Sequence, residues 1–468
     1  MASTLDVLHP KKLDQTMLRM YIRQLLVFPF PDVSVDRKEE ALAGLALGLL
    51  VTLKQFPFLA GTIEQTSPST GAMTVRYPSS ISLEDVSRIL KVTNPGIDEL
   101  SYDTLCEAGI PPSRLHSEDL CPVYLRSHAG LDDQFAGGLT TFAMGVPIPV
   151  FAAQINFISN GLILSACTHH SVVDGTGIAR VYQQWSKHTH IYSNGMGIPE
   201  QIKTSSLNGA WHAFDSPILD KPRLDPPEFR YPGDLACNPP LRDAPYELRA
   251  KVIVFSVATV FQLADRLSVF SKKHISTFAA LTALLWCQIT NVRRDAMTTK
   301  GIKETKVGVA IDHCKRIGSL LLSDYVGNCA NGMTVSLPLS TISSGEALNG
   351  RQFAHIAVAI SNGQGDIDID WFRNRLSAMS KQDNSSRLLL NVDTRNGPDV
   401  IISSWMHIGA DDVWAIPGTT SAEEEHKNVR RWRCKPTAIR KPRCANEGSI
   451  LILPAGNQWR LRLESRSV

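Results

Sequence analysis

The chain has 468 residues, 43% hydrophobic and 20% charged, the composition of a folded globular protein, which excludes a disordered or fibrous one. That length exceeds one ordinary core, so two domains are expected. Its 48 basic and 45 acidic residues leave a formal charge of only +3, which argues against a broad nucleic-acid-binding face and toward small-molecule partners.

The first fifteen residues lack an apolar run followed by a small-residue cleavage site, and the longest apolar stretch, Ala41 to Leu53, falls short of the ~20 residues that span a bilayer. A soluble, cytoplasmic protein with no membrane partner is expected. Nine cysteines are scattered from Cys106 to Cys444 without a C-x-x-C pair, so neither a disulfide framework nor a structural zinc site is indicated.

Between Asp36 and Phe56 the residues Leu42, Leu45, Leu49, Leu50 and Leu53 recur at helical spacing, and Pro57 blocks continuation. This predicts a core-facing helix, followed by short β-rich runs at Phe58–Ile63 and Ala72–Tyr77. Strands are predicted at Val150–Ile158 and Gly161–Thr168, joined at Ser159-Asn160-Gly161, where Asn and Gly accept positive φ. The second strand runs into His169-His170. Beyond it, Ile178, Val181, Tyr182 and Trp185 predict a helix capped by Asp174 or Thr176.

Prolines crowd Ser216 to Tyr246, which reads as a crossover and divides the chain into an N-terminal domain 1–215, a linker 216–250 and a C-terminal domain 251–468. In the second half the pattern predicts a strand at Lys251–Val257 and a helix at Ala258–Phe270. A longer helix follows at His274–Arg293, with Phe278, Leu281, Leu285 and Ile289 on one face. A strand at Val307–Ile311, a turn at Asp324–Asn328 and strands at Val400–Trp405 and Ser449–Pro454 complete it. Two halves of similar content suit a pseudo-duplicated α/β architecture.

The chemistry centres on His169-His170-Ser171-Val172-Val173-Asp174-Gly175. A hydroxyl is a poor nucleophile at neutral pH, and histidine, with an ordinary pKa of ~6.5, is the natural base to activate one. His170 stands where a buried strand turns into a helix, and Asp174 can turn back to hold the loop or orient the imidazole. A metal is not expected, because no third ligand with suitable spacing accompanies His170 and Asp174. Basic residues recur from Lys427 to Arg443 with no acid between them, either as a solvated face or as a contact for phosphates.

Further pieces accompany the motif in order. They are Phe56-Pro57-Phe58-Leu59-Ala60-Gly61, Gln154 to Ile158 with Gly161 to Leu164, Ser276 to Arg293 around Trp286, Asp324 to Asn328, Ser403-Ser404-Trp405, and Lys435-Pro436 to Pro442. Together they span nearly the whole chain, which resembles the BAHD acyltransferases and, within them, the fungal branch typified by trichothecene 3-O-acetyltransferase. The resemblance implies an α/β fold of two pseudo-equivalent chloramphenicol-acetyltransferase-like domains with the active-site channel at their interface. It implies a monomer that binds no cofactor tightly and takes acetyl-coenzyme A, or another acyl-coenzyme A, as co-substrate with a small-molecule alcohol as acceptor. By position His170 matches the general base and Asp174 the structural aspartate. Ser403 and Trp405 match residues beside the reacting carbonyl, where a hydroxyl and an indole N–H can donate to the oxyanion. Arg440 and Lys441 are the candidates for the coenzyme phosphates.

Two departures stand out. Where relatives carry Asp-Phe-Gly-Trp-Gly, this chain reads Asp411-Asp412-Val413-Trp414-Ala415-Ile416-Pro417-Gly418, followed by a polar stretch from Glu423 to Arg433. Relatives also have arginine at the position of Cys314 to pair with the motif aspartate, leaving Lys315 or Arg316 as substitutes. Two rival readings stay open beside O-acetyl transfer: a condensation-type domain of a peptide synthetase, and a catalytically dead binding protein.

Overall fold

The computed structural model describes residues 4–93, 100–125, 145–193, 195, 226–231, 238–244, 247–314, 316, 325–343, 349–384, 387–409, 411–419, 435–443 and 447–454. The crossover between the halves and the stretch Glu423–Arg433 therefore lie partly or wholly outside the described residues.

A five-stranded sheet carries the histidine motif. Its order is Ala438–Arg440, Tyr21–Pro29, Gly161–His169, Phe151–Ile158 and Leu90–Thr93. The two central strands form the expected hairpin, pairing Phe151 with Thr168 and Ile158 with Gly161, and Asn160 takes φ +55° in the turn. Both strands are buried along their whole length, which explains their near-continuous apolar sequence.

The helices Val35–Gln55 and Gly175–Ser193 pack against each other. A Cβ on Gly48 would lie 2.3 Å from Thr189 Oγ1 and 2.7 Å from its main-chain N, so glycine is what permits their close approach. Trp185 Nε1 donates to Leu45 O at 2.8 Å across the same contact. The buried face of the second helix, with Ile178, Val181, Tyr182 and Trp185, is the one its sequence predicts.

In the second half a four-stranded sheet runs Ala330–Pro338, Glu304–Asp312, Val400–Ser404, Ser449–Ile452. The first pair is antiparallel and the other two are parallel. The helices Val257–Ser271, Thr277–Thr299 and Gly350–Gly365 pack together, and this half has its own buried cluster. The sheets do not divide strictly by chain half. The late strand Ala438–Arg440 lies antiparallel beside Tyr21–Pro29, and Trp405, Ile408 and Trp414 belong to the first core.

Three local expectations differ. Lys251–Ser256 forms no strand: Ile253 and Val254 are exposed, because an extended run needs a neighbouring ladder to become a strand. Pro57–Ala60 is a 3-10 helix and the strand starts only at Thr62, as a proline at the first helical position favours. In the helix Thr277–Thr299 the buried face is the one with Ala279, Ala280, Ala283, Trp286 and Cys287, whereas Phe278, Leu281, Leu285 and Ile289 are only partly buried.

Candidate active site

The histidine pair is held by the main chain on both sides. His169 ends its strand opposite Tyr21, with the rings edge-on at 5.4 Å, and its own ring is fully buried. Burial, with His170 and Arg19 nearby, lowers its pKa to about 3. His170 donates its main-chain N–H to Met20 O at 2.8 Å. Its side chain is partly exposed, yet its Nδ1 is enclosed without a partner in ordinary hydrogen-bond geometry. Burial pushes its pKa down as well, partly offset by its own backbone and the Asn328 side chain nearby. The imidazole is thereby kept neutral at pH 7.

Asp174 is buried and acts through both oxygens. Oδ1 accepts the N–H of Gly177 at 2.9 Å, capping the helix that leaves the motif. Oδ2 accepts the N–H of Cys329 at 2.7 Å, from the second half of the chain. Burial raises its pKa to about 6, against the pull of those N–H groups. Arg316 does not take the place of the arginine expected to pair with Asp174. Arg316 donates instead to the carbonyls of Gln364 (2.8 Å) and Ile367 (3.3 Å), while Lys315 lies outside the described residues. Among the described residues the donors to Asp174 are the main-chain N–H groups of Gly177 and Cys329.

More contacts fasten the motif turn to the second half. Thr176 Oγ1 donates to Asp312 Oδ2 at 3.0 Å, and Arg180 donates to Tyr325 O at 2.7 Å. A Cβ on Gly177 would come within 2.1 Å of Val326 O, so the loop Tyr325–Asn328 can rest on the helix start only because residue 177 is glycine. From the other side, Ile408 Cδ1 would be 3.2 Å from a Cβ on Gly175.

That last contact brings the strand end Ser403–Trp405 toward the motif. Ser403 is half-buried, while Trp405 is nearly buried and donates its main-chain N–H to Ile452 O at 2.8 Å. Among the described residues neither the Ser403 hydroxyl nor the Trp405 indole N–H is used in a hydrogen bond. Arg440 is different: its Nε donates to Ile110 O (3.0 Å), and its other nitrogens to Ile439 O (3.0 Å) and Gly109 O (3.3 Å). The guanidinium clamps a loop to the sheet edge. Lys441, the next residue, is half-buried.

The segment that departs from the family pattern is still built into the core. Trp414 is fully buried, packed 5.3 Å from Trp185, 6.0 Å from Tyr182 and 6.1 Å from Phe28 between ring centroids. The sequence carried this as one tryptophan in an altered motif, and its burial is the property that survives.

Sequence reasoning missed Asp14. It is buried, accepts the N–H of Lys11 at 2.8 Å on Oδ2, and accepts Asn328 Nδ2 at 2.9 Å and Asn328 N at 3.3 Å on Oδ1. Burial first, and Asp174 in addition, raise its pKa to about 7. Locally its carboxylate only closes the first turn of the short helix Lys12–Thr16 through the Lys11 N–H. Among the described residues no three His, Cys, Asp or Glu side chains converge as metal ligands, and no helix is long and apolar enough to cross a membrane.

Two α/β halves joined by hydrogen bonds at an HHxxxDG turn define the two-domain coenzyme A-dependent acyltransferase fold. The chain belongs to the Transferase family, matching it over residues 129–414. It also matches the trichothecene 3-O-acetyltransferase-like N-terminal domain over residues 20–188. It is 23% identical to an eremophilane O-acetyltransferase of Penicillium roqueforti, covering 85% of this chain and 84% of that protein. It is 24% identical to the trichothecene 8-O-acetyltransferase of Fusarium sporotrichioides, covering 95% and 90%. Among solved structures, F. graminearum TRI101 complexed with coenzyme A and T-2 mycotoxin superposes with a TM-score of 0.69 at 18% identity, over 99% of this chain and 98% of that one. Vinorine synthase gives 0.52 at 14% identity, over 95% and 85%. The expected fold and the expected resemblance are both borne out.

Proposed function

We propose that the chain transfers an acetyl group from acetyl-coenzyme A to a hydroxyl of a fungal secondary metabolite, with His170 as general base. The observation that carries this reading is the His170 ring, neutral through burial, enclosed at Nδ1 and still partly exposed at a strand-to-helix turn. Acyl transfer to an alcohol requires such a group, because the hydroxyl must lose its proton as it attacks. Nε2 takes that proton while the alcohol oxygen bonds to the thioester carbonyl. The tetrahedral oxyanion then collapses, the carbon–sulfur bond breaks, and the departing thiolate takes the proton back from the imidazolium. No acyl-enzyme is needed.

The hydroxyl of Ser403 and the indole N–H of Trp405, on the strand end that leads to Ile408 and its contact with Gly175, suit stabilisation of that oxyanion. Asp174 supports the turn and takes no proton. For the coenzyme phosphates Lys441 is the better candidate of the basic pair, since Arg440 is engaged with three carbonyls. The names of the relatives, which act on eremophilane and trichothecene alcohols, support a terpenoid-like acceptor. An acyl-coenzyme A that binds and leaves as co-substrate, and a monomer working in the cytoplasm, belong to the same reading.

The test is thiol release from acetyl-coenzyme A by the purified protein with a panel of terpenoid alcohols, alongside His170→Ala. Turnover in the wild type and a loss of ~10²–10⁴-fold in the variant are expected. Near wild-type turnover in His170→Ala would sink the mechanism. Tight binding of an alcohol with no thiol release would instead favour the second reading, a binding protein, which the altered Asp411–Gly418 segment suggests.

A further inference from the structure

The loop Tyr325–Cys329, where the second half meets the histidine motif, presents two successive main-chain N–H groups to two buried carboxylates of the first half. The N–H of Asn328 donates to Asp14 Oδ1 at 3.3 Å, and the same oxygen accepts the Asn328 side-chain Nδ2 at 2.9 Å. The N–H of Cys329, one residue on, donates to Asp174 Oδ2 at 2.7 Å. Asp174 belongs to the motif, whereas Asp14 stands in the short helix Lys12–Thr16.

That helix is itself seated on the second half. Lys12 Nζ donates to Gln382 O at 2.9 Å, and Thr16 Oγ1 lies 3.6 Å from Met379 Sδ. The other oxygen of Asp14 accepts the N–H of Lys11 at 2.8 Å, so the carboxylate is tied at both ends and is a fixed anchor for Asn328. The Tyr325 hydroxyl donates to Asn328 O at 3.1 Å, holding the carbonyl edge of the Asn328–Cys329 peptide. The opposite edge of that peptide is the N–H that reaches Asp174. A displacement of ~1 Å at a supporting group can cost an enzyme ~10²-fold in rate.

We propose that Asp14 is a positioning residue for the reaction: by anchoring Asn328 it places the Cys329 N–H on Asp174, and so holds the histidine turn against the second half. The alternative is that Asp14 only closes the first turn of its own five-residue helix through Lys11. Tyr325, and the His313 N–H that donates to Cys329 O at 3.0 Å, would then hold the loop unaided.

The kinetic arm of the test rests on acyl transfer with His170 as base, and the exchange arm does not. Amide hydrogen exchange is measured at Cys329, with Gly177 as the internal reference, because its N–H donates to the other oxygen of Asp174 from within the motif. In Asp14→Ala the Cys329 N–H is expected to lose ~10-fold or more of its protection while Gly177 keeps its own. kcat is expected to fall ~10–100-fold, with the KM for acetyl-coenzyme A nearly unchanged. Asp14→Asn separates the two readings. Its amide has one oxygen, which is drawn to the two donors of Asn328 rather than to the single N–H of Lys11. The Asn variant therefore keeps the anchor and is expected to retain Cys329 protection and most of the wild-type kcat, whereas a role through Lys11 would make it as damaging as Asp14→Ala.

Wild-type protection of Cys329 in Asp14→Ala, an equal loss at Cys329 and Gly177, or the same loss in Asp14→Asn as in Asp14→Ala would each overturn the proposal while leaving His170 as base. If Asp14→Ala does not fold, Asn328→Ala takes its place, since it removes only the side-chain bond to Asp14. A selective loss at Cys329 there supports the anchor, and wild-type protection overturns it. Undiminished turnover in His170→Ala, alongside a selective loss at Cys329 in Asp14→Ala, would retain the positioning of the turn and reject the ring as base.

Discussion

The main-chain N–H of Cys329 donates to Asp174 Oδ2 at 2.7 Å, joining the strand Ala330–Pro338 region of the second half to the histidine motif of the first. Because Oδ1 is engaged with Gly177 N at 2.9 Å, an amide at this position satisfies one donor and opposes the other. Asp174→Asn is expected to cost about 2 kcal/mol through the unsatisfied buried N–H, or roughly 4–8 °C in Tm for a domain of this size. His170→Ala, whose ring makes no such bond, should melt within a degree or so of the wild type. An Asn variant that melts normally yet is inactive would mean that Asp174 acts on the imidazole directly.

The pH profile follows from the sign of the His170 shift. Burial disfavours the imidazolium, so the folded pKa lies below the ordinary 6.5, and the ring stays a base at pH values where a free histidine would be protonated. The acid limb of kcat/KM for acetyl transfer is therefore expected below pH 6.5. A limb at or above 6.5 would mean that the neighbouring polar groups outweigh burial in the working enzyme.

Much of this arrangement was legible in the chain, for reasons specific to each element. The hairpin and the helices Val35–Gln55 and Gly175–Ser193 announce themselves because they bury one periodic face or run fully buried beside a turn residue. Lys251–Val257 misleads because strand formation depends on a partner that sequence pattern does not reveal. Thr277–Thr299 misleads because the face that meets the core centres on Trp286 and is rotated away from the stripe of Phe278, Leu281, Leu285 and Ile289. Asp14 was illegible because its partner Asn328 is 314 residues away, and nothing local distinguishes a tertiary acceptor from a helix cap. The main-chain N–H groups of Gly177 and Cys329 at Asp174 were hidden likewise, since main-chain donors leave no trace in residue identity.

Trp414 tests whether the altered segment is structural. Removing a fully buried tryptophan from contact with Trp185, Tyr182 and Phe28 is expected to cost ~3–5 kcal/mol. Trp414→Phe, which keeps an aromatic ring there, should cost distinctly less. Equal stability of the alanine variant in chemical denaturation would show that the segment does not contribute to the core.

The adjacent basic residues separate by role. Arg440→Ala removes donors to Ile110, Ile439 and Gly109 carbonyls, so it should lower Tm without a selective effect on the coenzyme. Lys441→Ala should raise the KM for acetyl-coenzyme A several-fold, leave that for the alcohol unchanged, and weaken the dependence of that KM on salt, since exposed charge contacts are screened over ~8–10 Å. If neither constant moves, residue 441 is a solvated lysine and the phosphates are held elsewhere.

Asp14 makes a separate prediction about stability. Its folded pKa is raised to about 7, above the ordinary 3.8, with burial the first cause and Asp174 adding to it. Tyr325 also feels its charge. A carboxyl with a raised folded pKa contributes stability fully present below the unfolded value, near pH 4, and lost as pH rises through the folded one. Asp14→Asn removes that titration but leaves Asp174 and Tyr325 in place, so their contributions largely cancel between the two proteins. Relative to Asp14→Asn, the wild type should therefore lose stability steadily from about pH 4 to about pH 7, by at most about 1.4 kcal/mol per pH unit, and the difference should level off above that. Urea denaturation of both proteins at several pH values measures it. Parallel curves across the range would mean that the N–H groups of Lys11 and Asn328 fully offset the burial of the charge, so that Asp14 is ionised at no net cost to the fold.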